Sequence, residues 1–187
     1  MKIGLVGEAP SDTTAIKNLL SKRYPSGNYV YIPLLERING SMLDNQKTKR
    51  LLRIEFENQK PDILIFIRDL DGTINNNTTL TDRKTFFRDF NRVVNKKGIL
   101  LLNIFEIEAL LLADIQNFNN YFNSNIEYSE DPMEKENPKE FLKENCKKYD
   151  ESFNPEVFAL LDFDIVYNNC KYFKGFINRF ETKLMSI

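Results

Sequence analysis

Carboxylates stand wherever an apolar run of this chain ends. Glu8 follows Lys2–Val6, Glu36 follows Tyr29–Leu35, Asp69 and Asp71 follow Asp62–Ile67, and Glu106 and Glu108 follow Ile99–Ile104. If those runs are parallel strands, their carboxyl ends form one edge, where open α/β sheets hold their ligands. Like charges gathered on one edge repel one another unless a cation neutralises them. The chain has no histidine, and its two cysteines, Cys146 and Cys170, are far apart in sequence. That excludes histidine-dependent hydrolysis, zincins and zinc deaminases, and speaks against a structural zinc site. Hard oxygen ligands without imidazole or thiolate favour Mg²⁺ or Mn²⁺.

Within this set Asp69-Leu70-Asp71-Gly72 carries the most weight. Two aspartates two apart, directly after a buried strand, can turn both side chains onto one ion. Glu8, in a turn, and Glu36, beside Arg37, also fit plain solvated surface. Glu106 and Glu108 read in two ways, as further metal ligands or as negative charge stabilising a helix N-terminus.

The elements that must position these residues follow from periodicity and punctuation. A strand is expected over Lys2–Val6. Gly7-Glu8-Ala9-Pro10 then makes a turn, and Ser11 or Asp12 caps a helix whose apolar face is Ala15, Ile16, Leu19 and Leu20. Tyr29–Leu35 is rich in strand formers, with Pro33 marking an edge position. A long polar helix is expected over Met42–Asn58, broken by Pro61. Asp62–Ile67 is nearly all apolar and suits a strand buried on both faces. A polar loop over 68–79 precedes a helix at Asp82–Asn95, with Gly98 as its C′ residue. Ile99–Ile104 is a second buried-type strand, followed by a helix over Ile107–Asp114. Strands alternating with helices imply a parallel sheet with right-handed crossovers. The expected class is therefore α/β, with a sheet of about four strands over residues 1–115.

Residues 116–187 read as a helical elaboration packed on the same domain. Tyr121–Asn137 is a polar, acidic loop, prolines open helices at Pro138 and Pro155, and Asn168–Leu184 is a last amphipathic helix. The length of 187 residues, 42% hydrophobic and 28% charged, suits one folded domain. No segment approaches the roughly 20 apolar residues of a membrane helix, and the N-terminal apolar run is too short for a signal peptide. A cytoplasmic setting without membrane contact is expected. The net charge of −1 gives no global basic signature. Local basic rows exist, however. Lys84, Arg88 and Arg92 recur at four-residue spacing on the helix after the aspartate pair, and Lys47, Arg50 and Arg53 form a similar row. Either row suits phosphate contact or an ordinary solvated face.

Two known patterns resemble these motifs. Ile65–Thr73, reading IFIRDLDGT, is similar to the haloacid-dehalogenase-like phosphatase motif, which would make Asp69 a nucleophile. The later G-D-x-x-x-D element of that family is absent, and the motif is not on the first strand. Gly7-Glu8-Ala9-Pro10-Ser11-Asp12, then a helix, then Arg68-Asp69-Leu70-Asp71-Gly72, resembles a Toprim domain, the fold of topoisomerases, bacterial primases and OLD-type nucleases. Phe105-Glu106-Ile107-Glu108-Ala109, Asn137-Pro138-Lys139 and Cys170-x-x-Phe173-x-x-Phe176 extend the resemblance to a small Toprim-like family of bacterial proteins found beside ATPases in phage-defence neighbourhoods. Alanine at Ala9 departs from the Glu-Gly of many Toprim domains. The resemblance implies a Mg²⁺- or Mn²⁺-dependent nuclease acting on DNA or RNA. Glu8, Asp69 and Asp71 would be its catalytic and metal-binding residues, with Glu106 and Glu108 as further ligands. It also implies an ATPase partner. A ribosomal-RNA maturase of Toprim type, a phosphatase, and a non-catalytic metal- or nucleotide-binding regulator of an ATPase remain as alternatives.

Overall fold

The computed structural model describes residues 1–38, 40–43 and 45–187. Four strands, β1 (Lys2–Val6), β2 (Val30–Pro33), β3 (Ile63–Asp69) and β4 (Gly98–Asn103), form one sheet in the order β2-β1-β3-β4. Every pairing is parallel. The chain passes from β1 to β2 on one side and returns to β3 on the other. The crevice between the ends of β1 and β3 is therefore the switch point of the sheet, the place where ligands bind in such folds. Pro33 does lie on an edge strand, as a residue without an N–H should.

β3 is the central, doubly covered strand, and Ile63–Ile67 are all buried. Alternation sends Ile63, Ile65 and Ile67 into one apolar core and Leu64 and Phe66 into another. The first core receives Ala15, Ile16, Leu19 and Leu20 of α1 (Pro10–Leu20). Phe173, Phe176, Ile177 and Phe180, from the C-terminal helix, join the same core. The second core is closed by Leu43 of α2 (Gly40–Leu43), by Leu52 and Phe56 of α3 (Gln46–Gln59), and by Phe86 and Phe90 of α4 (Asn77–Val93). Helices thus cover both faces of the sheet. Among the described residues no helix is long and apolar enough to cross a membrane.

Beyond β4 the chain is helical: α5 (Ala109–Ala113), α6 (Ile115–Phe122), α7 (Pro138–Asn145), α8 (Asn154–Phe158), α9 (Phe163–Asn169) and α10 (Lys171–Leu184). Pro138 opens α7 as expected, and Asn154 with Pro155 opens α8.

Several local expectations are corrected. The first helix is capped by Ala9, not Ser11 or Asp12. Asp12 instead reaches back from the first turn, its Oδ2 accepting the Ala9 N–H at 3.0 Å. The helix expected over 42–58 is two helices, and Asp44, inside that span, lies outside the described residues. Asn45 caps the second of them by accepting the Lys47 N–H at 2.9 Å. The fourth helix starts five residues before Asp82, because Asn76 accepts the Thr79 N–H and caps a polar first turn that carries no apolar stripe. Gly98 is not a helix terminator but the first residue of β4. A Cβ there would sit 2.6 Å from Phe66 Cε2, so the glycine serves close packing. Asn95 and Lys96, at φ 55° and 60°, make the left-handed turn instead. The expected loop over 121–137 begins inside α6 and contains a 3₁₀ turn at Pro132–Glu134. The last helix begins at Lys171, since Cys170 ends α9 and caps α10, its Sγ accepting the Phe173 N–H at 3.4 Å.

Candidate active site at the switch point

Glu8 and Asp69 meet where β1 and β3 end. Glu8 Oε1 accepts the backbone N–H of Asp69 at 3.2 Å and pairs with Arg68 Nε at 2.8 Å. Arg68 occupies the β3 position that continues Leu64 and Phe66, so its side chain enters the second core. It is 2% exposed there, and its guanidinium lies over the Phe86 ring at 4.3 Å. A buried cation of this kind needs a nearby anion, and Glu8 supplies one. Gly40 packs against that carboxylate, because a Cβ on it would lie 2.7 Å from Glu8 Oε2.

Asp69 turns to the opposite face, level with Asn103 of β4, whose Nδ2 donates to Asp69 Oδ1 at 2.9 Å. Burial pushes the Asp69 carboxyl well above the usual carboxylate range. The charges of Glu8, Glu108 and Asp12 push the same way, against the bond from Asn103. Asn103 is fully buried, and among the described residues its Oδ1 has no hydrogen-bond partner. An unpaired carbonyl oxygen beside a desolvated carboxylate is costly for the fold to keep.

Asp71 is set apart from this pair. It adopts φ 56°, a left-handed conformation aspartate tolerates better than most residues. Bonds from Asp71 N–H to the Phe105 carbonyl at 3.0 Å and from Phe105 N–H to the Gly72 carbonyl at 3.2 Å pin the loop. The exposed Asp71 carboxylate pairs with Arg83 Nη2 at 2.6 Å, while Arg83 Nε donates to the Asp69 carbonyl at 2.8 Å. Arg83 is thus clamped across the D-x-D turn.

The remaining carboxylates are claimed by the helical half of the chain. Glu106 pairs with Lys139 Nζ at 3.2 Å and accepts the Lys139 N–H at 3.3 Å. Burial disfavours the Lys139 charge, but Glu106 and then Glu108 outweigh it and hold the ammonium above its ordinary range. Glu108 is 4% exposed, accepts from Asn154 Nδ2 at 3.0 Å, and is raised by burial. Asn154 is itself held by Tyr149 Oη at 2.8 Å. Glu36 is exposed, three residues beyond the end of β2. Among the described residues no group of three Asp, Glu or Cys side chains lies together so as to hold a metal ion. Glu8 meets Asp69 through the Asp69 backbone N–H, while the Asp69 carboxylate bonds to Asn103 on the other face. Asp71, Glu106 and Glu108 also have protein partners.

Arg88 and Arg92 are exposed on α4, near Asp89 at 4.0 and 3.7 Å. Lys84, on the same helix, faces a separate groove along β4. Five residues that shape the site were not singled out as its members from sequence: Asp12, Arg68, Arg83, Asn103 and Lys139. An arginine closing an otherwise apolar strand was the one signal that could have found Arg68.

Gly40→Ala is expected to displace the Glu8 carboxylate by a few tenths of an ångström or more, since the Cβ has no room. Divalent-cation affinity should fall roughly tenfold, about 1.4 kcal/mol, with little loss of stability because Glu8 is the end of a flexible side chain. Titration calorimetry with Mn²⁺, beside a thermal melt, checks this. Unchanged affinity would separate Glu8 from the ion.

The DUF4276 family, a domain of unknown function, matches residues 7–181, and the chain belongs to it. No curated protein and no solved structure gives a significant match.

Proposed function

We propose that this DUF4276 chain is a Mg²⁺- or Mn²⁺-dependent nuclease of Toprim type, with Glu8, Asp69 and Asp71 as its catalytic carboxylates. The observation that carries this reading is the meeting of Glu8 and Asp69 at the β1–β3 switch point, beside the unpartnered Asn103 Oδ1. The donors are all hard oxygens and include a desolvated carboxylate whose charge lacks compensation, which suits a small divalent cation. Glu8, Asp69 and, once exchanged from Arg83, Asp71 would hold it. When bound, the ion supplies Lewis acidity toward a phosphate oxygen.

The chain's own residues do the rest. Asn103 fixes the rotamer of Asp69, and Arg68 fixes Glu8 from beneath. Glu8 is also the group placed to take or give a proton during attack on a phosphodiester. Arg83, when released from Asp71, presents a planar pair of donors that fits phosphate oxygens. Arg88 and Arg92 add exposed positive charge for a nucleic-acid backbone. Glu106 and Glu108 support the edge through Lys139 and Asn154. Gating by an ATPase partner is part of the same reading.

Incubation with Mn²⁺ and plasmid, single-stranded DNA or RNA, alongside a generic phosphatase substrate, tests it. Cleavage of a nucleic acid, abolished by chelation, is the expected result. Turnover of the phosphatase substrate alone would favour Asp69 as a nucleophile. Inactivity on all of them, with or without the ATPase, would leave the non-catalytic regulator.

A further inference from the structure

β2 is one edge of the sheet and β4 the other. The bonds from Leu64 N–H to the Lys97 carbonyl and from Leu70 N–H to the Asn103 carbonyl fix which way its backbone faces. Odd-numbered residues of β4 serve β3, so the N–H and C=O of Leu100 and Leu102 point outward. Arg179 confirms this, its Nη2 donating to the Leu100 carbonyl at 3.3 Å from outside the sheet. A groove of about 1000 Å³ follows this edge, bounded by α4 on one side and α10 on the other. Its apolar lining includes Ile74, Leu80, Phe87, Leu100 and Leu102.

The charges on the lining are of one sign. Lys84, Lys171, Arg179 and Lys183 contribute to it, and among the described residues no aspartate or glutamate does. Lys171 meets Asp131 at 3.2 Å, whereas Arg179 and Lys183 are bound to the backbone carbonyls of Leu100 and Lys96. Burial lowers the Arg179 pKa, so its charge is carried at a cost. An anion arriving in the groove would relieve that cost.

We infer that the β4 edge is a strand-addition site for an extended segment of a partner protein in which acidic and apolar residues alternate. Main-chain bonds to Leu102 and, once Arg179 leaves its carbonyl, to Leu100 would provide the pairing. Side chains of period two would face the two helices in turn, carboxylates meeting Arg179 and Lys183 of α10 and apolar groups meeting Leu80 and Phe87 of α4. A second copy of this chain fits less well, since edge-to-edge pairing would bring the same cations face to face. This inference stands apart from the nuclease reading, as none of its groups belongs to the carboxylate site.

Selection of a displayed random-octapeptide library on the whole chain tests it. Enriched peptides should alternate Asp or Glu with Val, Ile, Leu or Phe. A synthetic copy should slow hydrogen exchange at the Leu100 and Leu102 amides. Its affinity should fall roughly tenfold or more for Arg179→Glu/Lys183→Glu, and should weaken in the unaltered chain as salt is raised. The inference is overturned if no such peptide is enriched, in which case Arg179 and Lys183 only protect the edge. It is overturned equally if the selected peptides bind the double variant as well, protect amides elsewhere, or are displaced by an oligothymidine that itself protects Leu100 and Leu102.

Discussion

Asp69→Asn is expected to lower Mn²⁺-dependent phosphodiester cleavage by about 10²–10³-fold, the usual cost of removing one preorganised electrostatic group from a transition state. The substitution keeps the shape of the side chain, and an asparagine Oδ1 can still accept from Asn103 Nδ2. What disappears is the negative charge. Because burial and neighbouring carboxylates already disfavour that charge, its loss should leave metal-free stability equal or higher. A folded, inactive Asp69→Asn protein is therefore the expected pair of observations from kinetics and a thermal melt. Full activity on every phosphodiester the unaltered chain cleaves would remove Asp69 from the mechanism. Asp71→Asn should behave differently. Its carboxylate is exposed, so the lost ligand should be partly recovered at high Mn²⁺.

Asp12→Asn carries the largest expected effect on stability. Burial, with a smaller push from Glu8, raises the Asp12 carboxyl to about 6, despite the bond from Ala9 N–H. A folded-state pKa above the ordinary value means the native state holds its proton more tightly than the unfolded chain. The contribution is fully present below about 3.8 and is lost as pH rises to about 6. A rise of that size sets an upper limit of about 3 kcal/mol. The N-terminus of α1 favours a negative charge and reduces that limit. At pH 8 without metal, asparagine should stabilise the fold by about 1–3 kcal/mol, each kcal/mol raising the melting temperature by about 2–4 °C. Near pH 3.5 the gain should vanish, since aspartic acid is then protonated in both states. A gain that persisted at pH 3.5 would mean that burial of the Asp12 charge is not its source.

The four strands of the α/β core were readable because they are short apolar runs between polar helices. The run at 62–67 announced a doubly buried strand, and β3 is central and covered on both faces. Helix starts were harder. Asn76 begins a helix through a side-chain cap in a segment with no apolar periodicity, so its polar first turn looked like loop. Asn45 caps a second helix inside a span that read as one. Cys170 stops one helix and caps the next within a continuous amphipathic pattern, which hides the break. For the site, position after a strand pointed to Glu8 and Asp69, and the Glu8 carboxylate reaches the Asp69 backbone N–H. Position could not show that Asp71 turns back onto Arg83 through a left-handed backbone, or that Lys139 and Asn154 arrive from the helical half to take Glu106 and Glu108. Those pairings are set by tertiary packing, and the spacing of residues in one chain carries no trace of them.

The carboxylates at the β1–β3 switch point are expected to hold a divalent cation. A crystal grown with Mn²⁺, with anomalous scattering recorded at the manganese edge, would show it. One strong peak bound by Glu8 and Asp69 is expected, with Asp71 released from Arg83 and turned to the ion. A fully occupied peak elsewhere, or none at saturating Mn²⁺ with the Arg83–Asp71 pair intact, would contradict it.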